Sequence, residues 1–346
     1  MNDINGQARA GRERPTLKTI AQLSGLAVTT VSRALGDAPD ISAETKRKVR
    51  EIADSVGYTP NRAGVRLRTG RTNVIALVLE AEPDGLNMTS RMIASIARAL
   101  AGTPYHLVMT PEMPGRTPLD AVRYIVETRS ADAVIINRIQ PEDTRVAYLR
   151  KQRFPFVTHG RTIWAAEHAH FDYDNHAFGR IAVETLARHG RSDLLLLAPP
   201  QDQSYANDMI DGAFAAAGDF GVRVTLAEQM TSDSGESEIR HGIARSIAAH
   251  PKLDALVSAS PNGAMVATAS LEATGRVIGK DFDVFSKETI PFLKLFRPQI
   301  LTLVEDIQKA GEFLAKAAVH EIATLGKDHM QMLDCPTGCA TGTSRI

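Results

Sequence analysis

The chain is poor in the residues that would place it in several common classes. It has two cysteines and one tryptophan in 346 residues, aromatics make up 5%, and 40 Lys or Arg are balanced by 40 Asp or Glu. Cys335 and Cys339 cannot build a disulfide framework, and so few thiols suit a reducing compartment. No apolar run approaches the roughly 20 residues that span a bilayer. No signal-peptide pattern precedes the first helical motif, so a cytoplasmic protein without membrane contact is expected. Neither G-x-x-x-x-G-K-[ST] nor a G-x-G-x-x-G after the first strand is present, which leaves no cradle for a nucleotide phosphate. His159 with Glu167-His168-Ala169-His170 is the densest group of metal-ligand types. Its spacing matches no closed zinc set. No metal, cofactor or catalytic residue is expected.

What is present is an uneven distribution of charge. Residues 1–71 hold 13 Lys or Arg against 7 Asp or Glu, so a basic head precedes an acidic body. That asymmetry is the footprint of phosphate contact by one end of a soluble chain. Residues 1–14 are polar and read as a disordered tail. Thr16 then suits an N-cap, and Leu17, Ile20, Ala21 and Leu23 recur at helical spacing. Gly25 permits a tight turn. A second helix is expected from about Ala27 to Leu35, with Val31 and Leu35 inward and Val28, Thr29, Ser32 and Arg33 outward. Ser42 caps a third helix through Val56. This is a helix-turn-helix over 15–59, whose second helix enters the major groove of double-stranded operator DNA.

Residues 60–72 read as a hinge. Pro60 can open a helix of about two turns ending near Gly70, and the segment through Thr72 carries four arginines and one apolar tip, Leu67. So short a helix is unstable alone in water. Basic side chains around an apolar wedge suit a minor groove.

Thr30-Val31-Ser32-Arg33 and Tyr58-x-Pro60-Asn61 resemble the head and hinge signatures of the LacI/GalR family of bacterial transcription regulators. The resemblance places Val28, Thr29 and Arg33 where base edges are read. Arg33 could hold a guanine with two hydrogen bonds. It also implies DNA-contacting roles for Thr16, Lys18, Thr30, Ser32, Tyr58, Asn61, Arg62 and the wedge Leu67. The family's serine opening the recognition helix is Ala27 here, and the usual hinge alanine and arginine are Gly64 and Val65. Glycine within a helix costs about 1 kcal/mol against alanine, so this hinge should depend more on DNA for folding.

After Thr72 the pattern changes to strands alternating with helices. Asn73–Leu79, His106–Met109, Ala133–Ile136, Phe156–Thr158, Leu194–Leu197, Val222–Val224, Ala255–Val257 and Asp283–Phe285 read as strands. Helices are expected at 88–100, 118–128, 175–189, 206–217 and 307–325. Such alternation argues for an α/β body with parallel sheets. It divides into two Rossmann-like lobes of periplasmic-binding-protein type, as the resemblance also implies. The first comprises residues 73–173 plus about 304–330, and the second 174–303 plus about 331–346.

Ligands of open α/β sheets lie beyond the carboxyl ends of the strands, here between the lobes. Sugars need planar polar groups that give paired hydrogen bonds. By position the candidates are the loop from Glu80 to Thr89, His159, Arg161, Asn207, Asp208, Ser260, Asn262 and Glu288. Lys287 beside Glu288 reads as a solvated pair, and Trp164 as core or sugar platform. The expected protein is a homodimeric repressor of a carbohydrate-use operon, controlled by a sugar. It is similar to regulators accompanying sugar-transport operons, whose effectors are often α-glucosides. An α/β sugar-acting enzyme with an incidental basic head is the alternative.

Overall fold

The computed structural model describes residues 15–59, 64, 66, 70–79, 88–112, 115–324 and 326–336. The chain divides into two compact units, residues 1–72 and 73–346.

In the first unit, α1 (Leu17–Ser24), α2 (Val28–Leu35) and α3 (Ala43–Ser55) enclose a small core of Ile20, Val31, Ala34, Val49 and Ala53. The local signals act as their chemistry requires. The Thr16 hydroxyl accepts from the Thr19 amide, the Ser42 hydroxyl accepts from the Thr45 amide, and Gly25 ends α1 at φ +72°. Leu23 departs from the expected stripe: it is 58% exposed, because Ile20, Ala21 and Ser24 already fill the inward face of this two-turn helix.

The second unit contains two lobes. In the first, β1 (Val74–Leu79), α4 (Met88–Ala99), β2 (His106–Pro111), α5 (Pro118–Thr128) and β3 (Ala133–Ile136) come first. They are followed by α6 (Thr144–Gln152), β4 (Phe156–His159) and β5 (Ala169–Tyr173). The chain then crosses into α7 (Asn175–Arg188), β6 (Asp193–Leu197), α8 (Ser204–Phe220), β7 (Arg223–Leu226) and α9 (Glu236–Ala249). The second lobe continues with β8 (Ala255–Ser258), α10 (Pro261–Glu272), β9 (Asp283–Glu288), α11 (Leu293–Phe296) and β10 (Leu301–Val304). A return crossing leads to α12 (Ile307–Thr324) and β11 (Gln331–Asp334).

Every pairing in both sheets is parallel. The orders are β11-β5-β4-β3-β1-β2 and β10-β9-β8-β6-β7. In each, the order reverses beside the first strand of the lobe, and that switch point opens a crevice at the carboxyl ends. The run Val74–Leu79 is apolar throughout because both faces are covered. Ile75 and Leu77 meet the core under α4 and α12, while Ala76 and Val78 meet the core under α5 and α6.

Two expectations are corrected: that residues 331–346 return to the second lobe, and that Leu301 to Glu305 already crosses back to the first. The stretch after residue 330 does not return to the second lobe: β11 pairs with β5 and lengthens the first sheet. A parallel strand following α12 closes a crossover onto the sheet that α12 already covers. Leu301–Val304 likewise pairs with β9, so the return crossing follows it, at Glu305 and Asp306.

Candidate DNA-reading surface and effector cleft

On α2 the inward face is used by Val31 and Ala34, which leaves Val28, Thr29 and Arg33 exposed and Thr30 and Ser32 half-exposed. Thr16 and Lys18 are exposed on α1. No side chain caps α2 at Ala27, so its first amides keep their donors for a phosphate. The Arg33 guanidinium meets Asp40 at 2.5 Å. The loop carrying Asp40 is itself fixed: Asp37, at φ +58°, receives Lys46 at 3.1 Å and Arg50 at 3.0 Å. The hydrogen bond and charge of Lys46 hold the Asp37 carboxyl below its ordinary value. Tyr58 is half-buried and packs against the helical core. Asn61, Arg62 and Leu67 lie outside the described residues.

Gly64 is helical and exposed, and a β-carbon there would meet nothing within 4 Å. Gly64→Ala is therefore expected to favour the hinge helix by about 1 kcal/mol and to tighten operator binding about fivefold. Fluorescence anisotropy titration checks this, and unchanged or weaker binding would refute it.

In the second unit the cleft walls are the carboxyl ends of the strands, and side chains cross it directly. Arg161, just after β4, donates from Nε to Asp172 on β5 at 2.6 Å and from Nη2 to Asp208 on α8 at 2.9 Å. Arg138, after β3, meets Asp233 at 3.0 Å, and Gln140 donates to Asp202 at 2.9 Å. The Ser204 amide donates to the Ile139 carbonyl at 2.8 Å, and Arg91 reaches the Thr289 carbonyl at 3.5 Å. A cavity of about 220 Å³ opens among Glu112, Asn137, Arg138, Gln140, Asp202 and Gln203. A larger depression, about 1010 Å³, follows the β7 side of the second lobe past Val224, Leu226 and Met230. The groups that bridge the lobes do not line it; Arg138, Gln140 and Asp202 line the smaller cavity, whereas His159, Arg161 and Asp208 line neither of these two.

At the return crossing, Glu305 is buried between the lobes. It receives Lys287 of β9 at 3.0 Å and lies 3.6 Å from Nε2 of His159 at the end of β4. Lys287 also donates to Asn175 at 3.0 Å and lies 5.4 Å from the ring centres of Tyr173 and Tyr205. Burial alone would raise the Glu305 carboxyl, but Lys287 and His159 hold it down to about 2. Burial pushes Asp172 up to about 6 despite Arg161. Burial likewise pushes the Tyr205 phenol up.

Lys287 was expected to pair in solvent with Glu288. Successive side chains of a strand point to opposite faces, so Lys287 enters the cleft while buried Glu288 accepts from the Leu293 amide at 3.1 Å and starts α11. The Ser260 hydroxyl is engaged elsewhere: it donates to the Ser232 carbonyl at 2.8 Å and accepts from the Gly263 amide at 3.0 Å, capping α10. Asn207 precedes Asp208 on α8 and is half-buried, as is Asn262 in the first turn of α10. Trp164 packs on the α5–α6 side of the first lobe, with the Arg150 guanidinium 5.1 Å from its ring centre.

His159, Arg161 and Asp208 thus converge, joined by Asp172, Tyr205 and Glu305, which sequence reasoning did not single out, and by Lys287, which it assigned to solvent. Each of these four lies at or beside a strand end or in the first turn of the following helix, and that position was the available signal. His168 is buried, bonded to Thr162 at 2.9 Å and pushed by burial down to about 4. Among the described residues no cluster of three metal-ligand types occurs.

The described helices contain none long and apolar enough to cross a membrane. Residues 16–61 match the model of bacterial regulatory proteins of the lacI family, and residues 90–311 match periplasmic binding proteins and the sugar-binding domain of the LacI family. The chain is 31% identical over 270 residues to the HTH-type transcriptional regulator RafR of Escherichia coli, covering 77% of this chain and 79% of RafR. Its fold is similar to a CelR–cellobiose complex (TM-score 0.65, 22% identity, covering 93% and 98% of the two chains). It is also similar to the lac repressor dimer bound to operator and the anti-inducer ONPF (TM-score 0.78, 18% identity, covering 94% and 97%). The chain therefore belongs to the LacI family: it is a cytoplasmic, non-enzymatic transcription regulator that pairs an operator-binding helix-turn-helix with a sugar-responsive body of periplasmic-binding-protein type.

Proposed function

We propose that this regulator is a homodimeric repressor of a carbohydrate-use operon, released from a pseudo-palindromic operator by an α-glucoside that enters the cleft. The observation that carries this reading is the set of direct interlobe bridges, above all Arg161–Asp208. A ligand seated against these bonds contacts both lobes at once, so its binding and the relative position of the lobes are linked. A ligand that favours one lobe arrangement shifts the DNA equilibrium by its difference in affinity, and DNA shifts ligand affinity by the same factor. The lac repressor is a dimer on its operator, and CelR forms a complex with cellobiose, itself a β-glucoside; by analogy the two support an operator-bound dimer and a sugar effector, not the α linkage. The operator is held by Thr16, Lys18, Val28, Thr29, Thr30, Ser32, Arg33 and Tyr58 of the head, with Asn61, Arg62 and Leu67 of the hinge. The effector is held by His159, Arg161, Asn207 and Asp208; Ser260 and Glu288, bonded within the second lobe, act by fixing the starts of α10 and α11.

Fluorescence anisotropy with duplexes flanking the gene, with and without maltose, sucrose, trehalose and cellobiose, tests the reading. Salt-sensitive binding released by one sugar is expected. Binding tightened by sugar would reverse the sign of regulation. Arg33→Ala should reduce discrimination at one guanine roughly tenfold to a hundredfold while binding to random DNA persists. Equal losses on both DNAs would show that Arg33 only contacts phosphate.

A further inference from the structure

We propose that the effector is an uncharged polyhydroxyl molecule and that Asp208 keeps anionic sugars, phosphorylated or uronic, out of the cleft. The inference rests on the interlobe cleft being the effector site. It starts from how the cations of that cleft are already used. Arg161 has Asp172 and Asp208, Lys287 has Glu305, and Arg138 has Asp233, each at 3.0 Å or closer. Buried Arg145 below them is held by Asp143 and Glu112 at 2.7 and 2.8 Å. His159 lies 3.6 Å from Glu305, and Arg91 reaches the Thr289 carbonyl. Arg91 is solvent-exposed and bonded to that carbonyl alone among the described residues, so water and salt screen it.

A phosphate or carboxylate entering this cleft has two courses. It can displace a carboxylate from its cation, which leaves a desolvated charge without a partner. It can instead settle beside the pair, where it meets a like charge at close range. A neutral sugar faces neither obstacle. Its hydroxyls both donate and accept, and an Arg–Asp pair offers donors on one side and acceptors on the other. Arg161 and Asp208 are each about one-third exposed, so both can take a hydroxyl without separating. Asp172 on the other side of the guanidinium is buried and fixed. Asp208 is therefore the member of the set whose charge can be removed with least disturbance. An asparagine there keeps the acceptor for Nη2 and leaves Arg161 with one carboxylate in place of two.

The test is isothermal titration of the full chain with paired neutral and anionic probes: trehalose with trehalose 6-phosphate, sucrose with sucrose 6-phosphate, and galactose with galacturonate. At least one neutral sugar is expected to bind, with its charged counterpart at least tenfold weaker. Asp208→Asn is expected to narrow that ratio at least fivefold, and Asp208→Ser should do the same if the amide perturbs α8. A charged probe that binds the natural protein more tightly than its neutral partner overturns the proposal. So does an unchanged ratio in both folded variants, and in either case the effector site still stands. Absence of binding by every probe would refute the sugar-effector reading, and this proposal with it.

Discussion

Gly212→Ala is expected to destabilise the body by about 3 kcal/mol or more, beyond the usual cost of overpacking, because the obstacle is backbone. A β-carbon at 212 would stand 2.0 Å from the carbonyl oxygen of His176 and 2.8 Å from its carbonyl carbon. At the same crossing of α7 and α8, a β-carbon on Gly179 would stand 2.2 Å from the Met209 carbonyl oxygen. Neither helix can yield without opening the core of Phe178, Val183, Met209 and Ala213. Gly218 is the control. It lies on the exposed side of the same helix with nothing within 4 Å of a β-carbon. Gly218→Ala should stabilise by about 0.5–1 kcal/mol. Urea denaturation followed by circular dichroism separates the two. Equal shifts at 212 and 218 would mean that α7 and α8 do not pack as closely as described.

Lys287→Met is expected to cost about 3–5 kcal/mol at neutral pH, the penalty for leaving a buried ion without its partner. The methyl-tipped chain fills most of the volume, so the loss measures the charge and not a cavity. The pH dependence identifies the source. Glu305 is held below its unfolded value, so its contribution is complete above about pH 4.5 and is lost as pH falls toward about 2. Without Lys287, burial dominates and the carboxyl takes up a proton more readily in the folded state. The difference between variant and natural protein should therefore shrink as pH is lowered from 7 to 4. A difference that stays constant would place the cost in packing. Asp172 acts in the opposite sense: its folded value is raised, so its ionisation opposes folding, with no cost below about 3.8 and full cost above about 6.

The parts that could be read from sequence are those set by local chemistry. Thr16, Gly25 and Ser42 each define a helix end through neighbours within four residues, and the outward set on α2 follows from the inward pair of Val31 and Leu35, although Ala34 is buried more deeply than Leu35. Strands covered on both faces, such as Ala133–Ile136, are plain apolar runs. β5 was missed because its Ala-His-Phe-Asp-Tyr sequence is polar at alternate positions although all five residues are buried. Its His170 and Asp172 find partners within the fold. α10 was hidden by Pro261-Asn262-Gly263, which reads as a turn. In the structure Ser260 caps the helix, Pro261 takes its first turn, and Gly263 admits Ser258 and Leu197 at close range. The cleft was half visible. His159, Arg161 and Asp208 follow from strand-end positions, but the Lys287–Asn175 bond joins residues 112 apart, and only the assembled sheets bring them together.

The order of strands also sets an order of completion during synthesis. The second sheet draws all its strands from one continuous stretch, 193–304, whereas the first sheet takes its last strand, β11, from residues 331–334. As the chain emerges from the ribosome, the second lobe can finish its core while the first still lacks both α12 and β11. Until they arrive, the side of Leu77 and Phe171 that faces Phe313 and Leu314 is uncovered, and β5 is an open edge. The nascent first lobe is thus expected to be the more aggregation-prone of the two, and loss of even the last four-residue strand would leave β5 as an open edge.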